Sequence, residues 1–323
     1  LDGGAGWLGT AIIDEALALR AAGIAVPTLA WLWTPGEAES VRQAVAADID
    51  LSVSSPWQLA AVRAAAESLG QVARVHLKID TGLSRNGSTA DDWLALVEEV
   101  ARTEAVQAVG VWSHFAYADE PGHPTIARQL TRFTTAVAEA EAVGLRPQVR
   151  HIANSAATLT LPSAHFDLVR PGVAIYGLSP VPSAGSFGLT PAMTLRAGLA
   201  SVKRVRAGEG VSYGHNYTTS KETTLALVPL GYADGVPRAG TNVGPVSING
   251  QRFTVSGRVC MDQIVVDVGD LPVSTDDHAV LFGSGHDGEP LAQDWADAVG
   301  TIHYEIVTRI GPRVARTYVG GDA

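Results

Sequence analysis

The chain has 323 residues, which is enough for two domains or for one barrel with an attached domain. Hydrophobic residues make up 46% of it and charged residues 17%, so a large core can form and disorder is not expected. The formal net charge of −10 argues against nucleic acid and anionic membranes as partners, and no apolar run approaches the roughly 18 residues that cross a bilayer.

Residues 1–180 alternate short apolar runs with longer amphipathic stretches, which is typical of an α/β fold with a parallel sheet. We predict strands at 7–11, 27–32, 50–54, 74–80, 106–113, 148–153 and 166–169. Between them, apolar residues at spacings of three and four predict helices at 14–23, 35–46, 56–69, 90–103, 124–144 and 155–161. No Gly-x-Gly-x-x-Gly follows an early strand, which favours a (β/α) barrel over a doubly wound dinucleotide-binding sheet.

A closed barrel of this kind has eight strands, whereas the pattern predicts seven. We therefore expect the first strand of a (β/α)8-type barrel to be missing from the sequence, just upstream of Leu1. A barrel left open in this way would expose two unpaired strand edges.

The composition changes after residue 179, where a stretch rich in Pro, Gly and Ser begins. We predict a barrel domain at 1–180, a linker at 181–190 and a mainly β C-terminal domain at 191–323. The C-terminal domain should contain strands at 197–206, 224–230 and 264–268, a hairpin at 247–255 that turns at Asn249-Gly250, and one helix at 291–299.

The segment 166–177 contains the strongest local signal for a site. Leu168 and Val169 place Arg170 at the carboxyl end of a predicted strand, and Pro171-Gly172 then ends the pairing. Ligands of barrels and of open α/β sheets bind at this end of the strands, and free backbone N–H groups there bind anions. The pattern alone predicts a site for an anion or a heterocycle.

Other polar residues follow the remaining strands of the predicted barrel: Lys78, Arg85, His114, His151, Asn154 and Ser155. The predicted β domain adds three segments marked by Gly or Cys: Val211–Gly214, Gly231–Gly235 and Gly257–Gln263. In this order, these motifs resemble those of the alanine racemases, pyridoxal-phosphate enzymes that interconvert L- and D-alanine. The resemblance extends from 7–10 to 301–305 and includes 78–85, 113–116 and 153–156.

One motif of that family has no counterpart here. In alanine racemases, the lysine that forms a Schiff base with the cofactor lies on the first barrel strand, in a Val-Lys-Ala-Asp-Ala-Tyr-Gly-His-type motif. The only lysines of this sequence are Lys78, Lys203 and Lys221, and none has that context. We expect the missing lysine on the same strand that the count of strands finds missing.

The resemblance implies pyridoxal 5′-phosphate as the cofactor and assigns residues to it. Arg170 would donate a hydrogen bond to the pyridine nitrogen without giving up its proton, since arginine keeps its charge. His114 would pack against the cofactor ring, and His151 would support Arg170. The phosphate site would be formed by Asn154, Ser155, Gly172 and Val173.

Racemisation removes a proton from one face of a planar carbanion and returns it on the other, which two groups on opposite faces do most directly. The resemblance assigns one of these roles to Tyr213 and the other to the absent lysine. A hydrogen-bond chain Tyr213–His114–Arg170 would lower the pKa of the tyrosine, so these three residues are the predicted catalytic set.

The substrate site is implied by the same resemblance. Arg85, Met261 and Asp262 would contact the substrate carboxylate or its surroundings, and Tyr232 would line the channel. Lys78 corresponds to a lysine that is carbamylated in some members and braces Arg85; Asp80 or nearby Glu residues are the alternative brace. Some members also carry a phosphate-contacting tyrosine near the C-terminus, whereas 310–313 contains none.

In the family, residues such as Tyr213, Tyr232 and Met261 face the cofactor of the other subunit, so we expect a homodimer with shared active sites. The only cysteine, Cys260, excludes an internal disulfide and fits a reducing, cytoplasmic location. No His-x-His or His-x-x-x-His pattern occurs, so no metal site is predicted.

The expected role is the supply of D-alanine for peptidoglycan. Two alternatives remain open: a broad-specificity amino-acid racemase with a wider pocket, and a catalytically incompetent fragment if the lysine segment is absent from the protein.

Overall fold

The computed structural model describes residues 1–320, which divide into two compact units. Unit 1 comprises Leu1–Gly172 and Pro180–Gly185. Unit 2 comprises Val173–Ser179 and the residues from Ser186 onward. None of the helices in residues 1–320 has the length and hydrophobicity that a bilayer crossing requires.

Unit 1 is built on a parallel sheet whose six strands are hydrogen-bonded in chain order. The strands are β1 (Leu8–Thr10), β2 (Thr28–Ala30), β3 (Asp50–Val53), β4 (Ala73–Lys78), β5 (Val106–Trp112) and β6 (Val149–His151). The helices are α1 (Ile13–Ala21), α2 (Ala38–Ala46), α3 (Pro56–Leu69), α4 (Ala90–Ala101), α5 (Pro124–Ala142) and α6 (Ser155–Thr160).

Strands β2 to β5 are buried almost throughout, as parallel strands that are covered on both faces must be, whereas β1 at the edge of the sheet is partly exposed. Helix α4 illustrates the covering layer: Trp93, Leu96, Val97 and Val100 recur at helical spacing and are all buried. Its start is fixed by Thr89, whose hydroxyl accepts a hydrogen bond from the backbone N–H of Asp92 at 3.2 Å. The predicted α/β class with a parallel sheet is confirmed.

The prediction of a seventh strand at 166–169 was wrong. Phe166 has a φ of +46° and no ladder forms. The segment still runs beside β6, because the backbone N–H of Asp167 donates to the carbonyl of Arg150 at 3.1 Å and that of Arg170 to the carbonyl of Ala153 at 2.9 Å. Two backbone bonds position Arg170 without a regular strand.

Unit 2 is mainly β, as predicted. Its strands are β7 (Leu195–Gly198), β8 (Ser201–Val205), β9 (Gly210–Val211), β10 (Tyr217–Thr218), β11 (Thr223–Val228), β12 (Pro245–Ile248), β13 (Gln251–Thr254), β14 (Ile264–Gly269) and β15 (His278–Phe282). They form sheets in the orders β14-β11-β8, β13-β12-β15-β7 and β10-β9. The helices are α7 (Ala292–Val299) and α8 (His303–Thr308).

The predicted hairpin is confirmed, since β12 and β13 pair antiparallel and turn at Asn249 and Gly250, which both have positive φ. The single strand predicted at 197–206 was wrong. The chain leaves one sheet and enters another at Leu199 and Ala200, so β7 pairs with β15 while β8 pairs with β11. Strand β15 and helix α8 were not predicted.

Candidate active site

Arg170 lies at the centre of a group of hydrogen bonds in unit 1. Its Nη1 is 2.6 Å from Nδ1 of His151. Its Nη2 donates to the backbone carbonyls of Ser113 at 2.7 Å and Ile152 at 3.3 Å. The guanidinium also packs 4.8 Å from the centre of the Trp112 ring. Burial lowers the pKa of Arg170 to about 9, so the guanidinium remains charged at neutral pH.

Lys78 is buried at the end of β4, and its ammonium lies 4.2 Å from the centre of the Trp112 ring. Burial lowers the pKa of Lys78 to about 8, and the positive charges of Arg85 and Arg170 act in the same direction. At neutral pH, the fraction of Lys78 in the neutral amine form is therefore much larger than for an ordinary lysine.

His114 lies just beyond β5, and its Nδ1 is 3.5 Å from Nη2 of Arg170. Burial lowers the pKa of His114 to about 3, with further contributions from Arg170, Arg85 and Lys78. The imidazole is therefore neutral at physiological pH. The positive charges of Arg170, Arg85 and Lys78 disfavour protonation of His114 and favour the binding of anionic ligands.

The loop after β4 is shaped by Asp80. One carboxylate oxygen of Asp80 accepts hydrogen bonds from the backbone N–H groups of Gly82, Leu83 and Ser84 at 2.8, 3.0 and 3.1 Å. Arg85 follows this turn with an exposed side chain and no ion pair to any residue in 1–320. Asp80 thus orients the loop that presents Arg85, while a brace of Arg85 by Asp80 or a nearby Glu stays a prediction.

Three of the four residues predicted to bind phosphate, Asn154, Ser155 and Gly172, lie together at the start of α6 in unit 1. Asn154 is the N-cap, accepting the backbone N–H of Ala157 at 3.1 Å. Ser155 is the first residue of the helix, and its hydroxyl accepts the backbone N–H of Gly172 at 2.8 Å. Val173 follows directly in sequence and begins a short 3₁₀ turn of unit 2.

Gln129 of α5 supports the ends of β4 and β5, and sequence analysis missed it. Its amide nitrogen donates to the hydroxyl of Thr81 at 3.1 Å and to the carbonyl of His114 at 3.0 Å. The hydroxyls of Thr81 and Ser113 are 2.8 Å apart, and that of Ser113 also donates to the carbonyl of Ile79. A single Gln within an amphipathic helix gives no sequence signal for this role.

In unit 2, two of the three marked segments are held together by backbone contacts that require glycine. The N–H groups of Tyr232 and Ala233 donate to the carbonyls of Cys260 at 3.0 Å and Met261 at 2.9 Å. A Cβ on Gly231 would lie 2.3 Å from the carbonyl oxygen of Met261. Only glycine allows this approach.

The remaining segment, Val211–Gly214, packs against Gly257 of the segment Gly257–Gln263. The φ of Gly257 is +85°, and a Cβ on Gly257 would lie 2.5 Å from the carbonyl oxygen of Val211. The hydroxyl of Ser212 donates to the carbonyl of Arg258 at 2.8 Å. These contacts fix the backbone that leads into the turn presenting Tyr213.

The side chains that this framework presents are exposed. Tyr213 is 71% exposed, Met261 52% and Tyr232 40%. Large exposed apolar groups on adjoining turns are typical of a binding surface. The predicted hydrogen-bond chain from Tyr213 to His114 stays a prediction, since Tyr213 belongs to unit 2 and its hydroxyl has no hydrogen-bond partner within residues 1–320.

Asp262 is held by Arg313, which sequence analysis did not single out as functional. Nη1 of Arg313 is 2.8 Å from Asp262, and its Nε is 3.2 Å from the buried carboxylate of Asp234. The other oxygen of Asp234 accepts the backbone N–H of Gly231 at 2.9 Å. Arg313 therefore links the two segments that carry Tyr232 and Asp262.

A C-terminal tyrosine was also overlooked. The expected absence of a phosphate-contacting tyrosine rested on residues 310–313 alone, whereas Tyr318 lies five residues beyond Arg313. Its side chain is 91% exposed.

Comparison with known proteins identifies both parts of the chain. Family models of the alanine racemase N-terminal domain and C-terminal domain match residues 1–180 and 192–318. The alanine racemase of Frankia casuarinae is 59% identical over 325 residues, covering 99% of this chain and 84% of that protein. The alanine racemase of Salinispora arenicola is 60% identical over 324 residues, covering 99% of this chain and 86% of that protein.

Solved structures agree with the sequence comparison. The crystal structure of alanine racemase from D-cycloserine-producing Streptomyces lavendulae superposes with a TM-score of 0.97 at 56% identity, covering 99% of this chain and 85% of that one. For the alanine racemase of Streptomyces coelicolor the TM-score is 0.96 at 57% identity, with coverages of 99% and 86%. The chain therefore belongs to the alanine racemase family, whose members are isomerases that depend on pyridoxal 5′-phosphate.

Proposed function

We propose that this protein interconverts L-alanine and D-alanine by two-base proton transfer with pyridoxal 5′-phosphate, and that it supplies D-alanine for peptidoglycan. The observation that carries the proposal is the geometry of Arg170. Nη1 and Nη2 are held by His151 and by backbone carbonyls, while Nε has no hydrogen-bond partner within residues 1–320. One donor of a rigidly held guanidinium is thus available for a ligand.

The residues of unit 1 suit the cofactor. The backbone N–H of Gly172 and the hydroxyl of Ser155 lie together for a phosphate, and Lys78 and Arg85 add positive charge. When bound, pyridoxal 5′-phosphate would supply an electron-withdrawing ring that acidifies the proton on the α-carbon of the substrate.

Arg170 would set the strength of that electron withdrawal. Its pKa of about 9 keeps the proton on the guanidinium at neutral pH, so it would donate a hydrogen bond to the pyridine nitrogen without protonating it. A weaker electron sink favours return of the proton to the α-carbon over side reactions such as transamination.

His114 would connect Arg170 to the proton-transfer step. It is neutral, and if its Nδ1 accepts from Arg170, its one proton lies on Nε2. That Nε2–H is then available to donate to the oxygen of Tyr213 from the other subunit of the proposed homodimer, which would stabilise the phenolate form and let the tyrosine act as a base. Tyr213 would act on one face of the α-carbon, and the family's Schiff-base lysine, which the sequence lacks, would act on the other.

Arg85 would bind the substrate carboxylate together with a backbone N–H of the Met261–Asp262 segment, which would place a side chain at the entry. We propose that the exposed group Tyr213, Tyr232 and Met261 completes the site of a second subunit in a homodimer. Its exposure supports this arrangement, because large apolar side chains on one surface are rarely left uncovered.

The direct test uses the purified full-length protein with pyridoxal 5′-phosphate. L-alanine should give D-alanine by chiral chromatography, with approach to equal amounts from either enantiomer. A panel of larger amino acids separates an alanine enzyme from a broad-specificity racemase. Binding of the cofactor without formation of D-alanine would contradict the proposed reaction.

A further inference from the structure

A buried hydrogen-bond relay crosses unit 1 and ends at Arg170. Nε of Arg74 donates to Asp50 at 2.6 Å, and the second carboxylate oxygen of Asp50 is 3.2 Å from Nε2 of His76. Nδ1 of His76 is 2.8 Å from Nε2 of His151, whose Nδ1 is 2.6 Å from Arg170. Asp50 is 1% exposed, and both histidines are fully buried.

Only one arrangement of protons satisfies every contact in this relay. The guanidinium of Arg170 can only donate, so Nδ1 of His151 must accept. A neutral imidazole has one N–H, so Nε2 of His151 donates to Nδ1 of His76. Nε2 of His76 then carries the proton of that ring and donates to the carboxylate of Asp50.

The electrostatics of the relay agree with two neutral rings and one charged carboxylate. Burial is the main cause that lowers the pKa of His76 and the pKa of His151. Burial raises the pKa of Asp50, but the hydrogen bonds from His76 and Arg74 outweigh it and hold that pKa below its usual value.

The packing around the relay leaves little freedom for the rings. A Cβ on Gly110 of β5 would lie 2.3 Å from Nδ1 of His76, so glycine is required where that ring lies. The ring of His151 is stacked on Trp112 with centroids 5.6 Å apart and planes at 8°. Trp7 contacts His76 edge-on at 5.3 Å.

We propose that Asp50 and His76 are positioning residues that hold His151 in the tautomer that accepts from Arg170. The carboxylate at the far end polarises both rings in the same direction, which strengthens the acceptor that faces the guanidinium. Without the Asp50 carboxylate, His76 and His151 can both adopt the opposite tautomer. An N–H of His151 would then face an N–H of Arg170. The relay is a property of this chain, while its effect on catalysis rests on the proposed function.

Asp50→Asn is the sharpest probe because it keeps the size of the side chain. If the amide oxygen remains with Arg74, the NH₂ group faces His76 and forces Nε2 to accept. The reversal then passes through His151 to Arg170. The matched control is Glu39→Gln, which alters another Arg-bound carboxylate of unit 1: Glu39 is 2.7 Å from Arg42, is exposed and lies outside the relay.

The first readout needs no cofactor and no activity. In the cofactor-free full-length protein labelled with nitrogen-15 in histidine, His76 and His151 should both appear as neutral rings protonated on Nε2. Asp50→Asn should shift the ring nitrogens of His151, and Glu39→Gln should not. The wild-type spectrum alone tests the proton arrangement even if Asp50→Asn fails to fold: a charged His151, or one protonated on Nδ1, overturns the proposal.

The second readout uses the holoenzyme. Asp50→Asn should lower kcat for alanine by about tenfold or more, since a hydrogen bond to a charged group is lost, with KM within about twofold. An active wild type with unchanged His151 signals and unchanged kcat in Asp50→Asn overturns the proposal. A wild type that shows the expected tautomers but does not racemise alanine supports the relay and contradicts the proposed function instead.

Discussion

The ammonium of Lys78 lies 4.2 Å from the centre of the Trp112 ring, in a part of unit 1 that contains two further cations. Arg85 and Arg170 both disfavour the charged form of Lys78, and burial lowers its pKa most, to about 8. The structure thus places a readily deprotonated amine among positive charges, where a negatively charged derivative would be stabilised.

We expect Lys78 to be carbamylated by carbon dioxide, because carbamylation replaces a cation with an anion beside Arg85 and Arg170. The reaction needs the neutral amine. With a pKa of about 8, the neutral fraction falls about tenfold for each pH unit below that value, so the modification should decline as the pH falls. Carbon-13 NMR of protein incubated with labelled bicarbonate should show a carbamate signal that Lys78→Arg lacks. A signal of the same strength in Lys78→Arg would assign the modification elsewhere.

Arg170→Glu should give a slower and less selective enzyme. The substitution removes the hydrogen bonds to His151 and Ser113 and offers an acidic proton to the pyridine nitrogen, which strengthens the electron sink. We expect kcat for racemisation to fall at least about tenfold, as for loss of a hydrogen bond to a charged group, and pyruvate from transamination to rise. Arg102→Glu, at an exposed position just after α4, serves as the control. Unchanged turnover with no pyruvate would remove Arg170 from the cofactor site.

Gly231→Ala should destabilise unit 2 without changing any functional side chain. The added Cβ would lie 2.3 Å from the backbone carbonyl of Met261, so the backbone must shift. We expect the free energy of unfolding in urea to fall by about 1–3 kcal/mol. Gly198→Ala is the matched control, since its Cβ meets nothing within 4 Å. Equal stability of the two variants would contradict the close approach.

The stability of the cofactor-free protein should fall at acidic pH in a way that depends on His114. The pKa of His114 is about 3 in the folded state against an ordinary value of 6.5. Between these values the unfolded chain binds a proton that the folded chain does not, so acidification favours unfolding. The loss should be about 1.4 kcal/mol per pH unit below 6.5 for this residue. Urea titrations of His114→Gln should show a shallower dependence, and an identical slope would contradict a neutral, buried His114.

Local sequence signals predicted the parts of the fold that local chemistry determines. Helix α3 was predicted with its observed bounds because Pro56 starts it and Gly70 ends it in a left-handed conformation. The strand predicted at 166–169 failed because Phe166 adopts a positive φ, which an apolar run does not indicate. The division of 197–206 between two sheets is likewise set by distant partners.

The candidate site was accessible from sequence only in part. Arg170 is marked by the Pro-Gly turn that follows it, and its bond to His151 was expected from the family resemblance. Asp50 and His76 give no such signal, because a histidine within an apolar strand is more often a core residue. The role of Asp50 and His76 depends on how β3, β4 and β6 are arranged in the sheet, and no local sequence pattern predicts that arrangement.

The most direct test of two-base racemisation is deuterium incorporation into each enantiomer of alanine in heavy water, comparing the full-length wild type with Tyr213→Phe. Tyr217→Phe is the matched control, because the Tyr217 hydroxyl is bound to Asp267 at 2.7 Å and has no proposed part in proton transfer. We expect Tyr213→Phe to slow exchange from L-alanine by about a hundredfold or more while exchange from D-alanine falls much less, and Tyr217→Phe to leave both largely unchanged. Equal, small losses from the two enantiomers in Tyr213→Phe would contradict a proton-transfer role for Tyr213 and with it the two-base account.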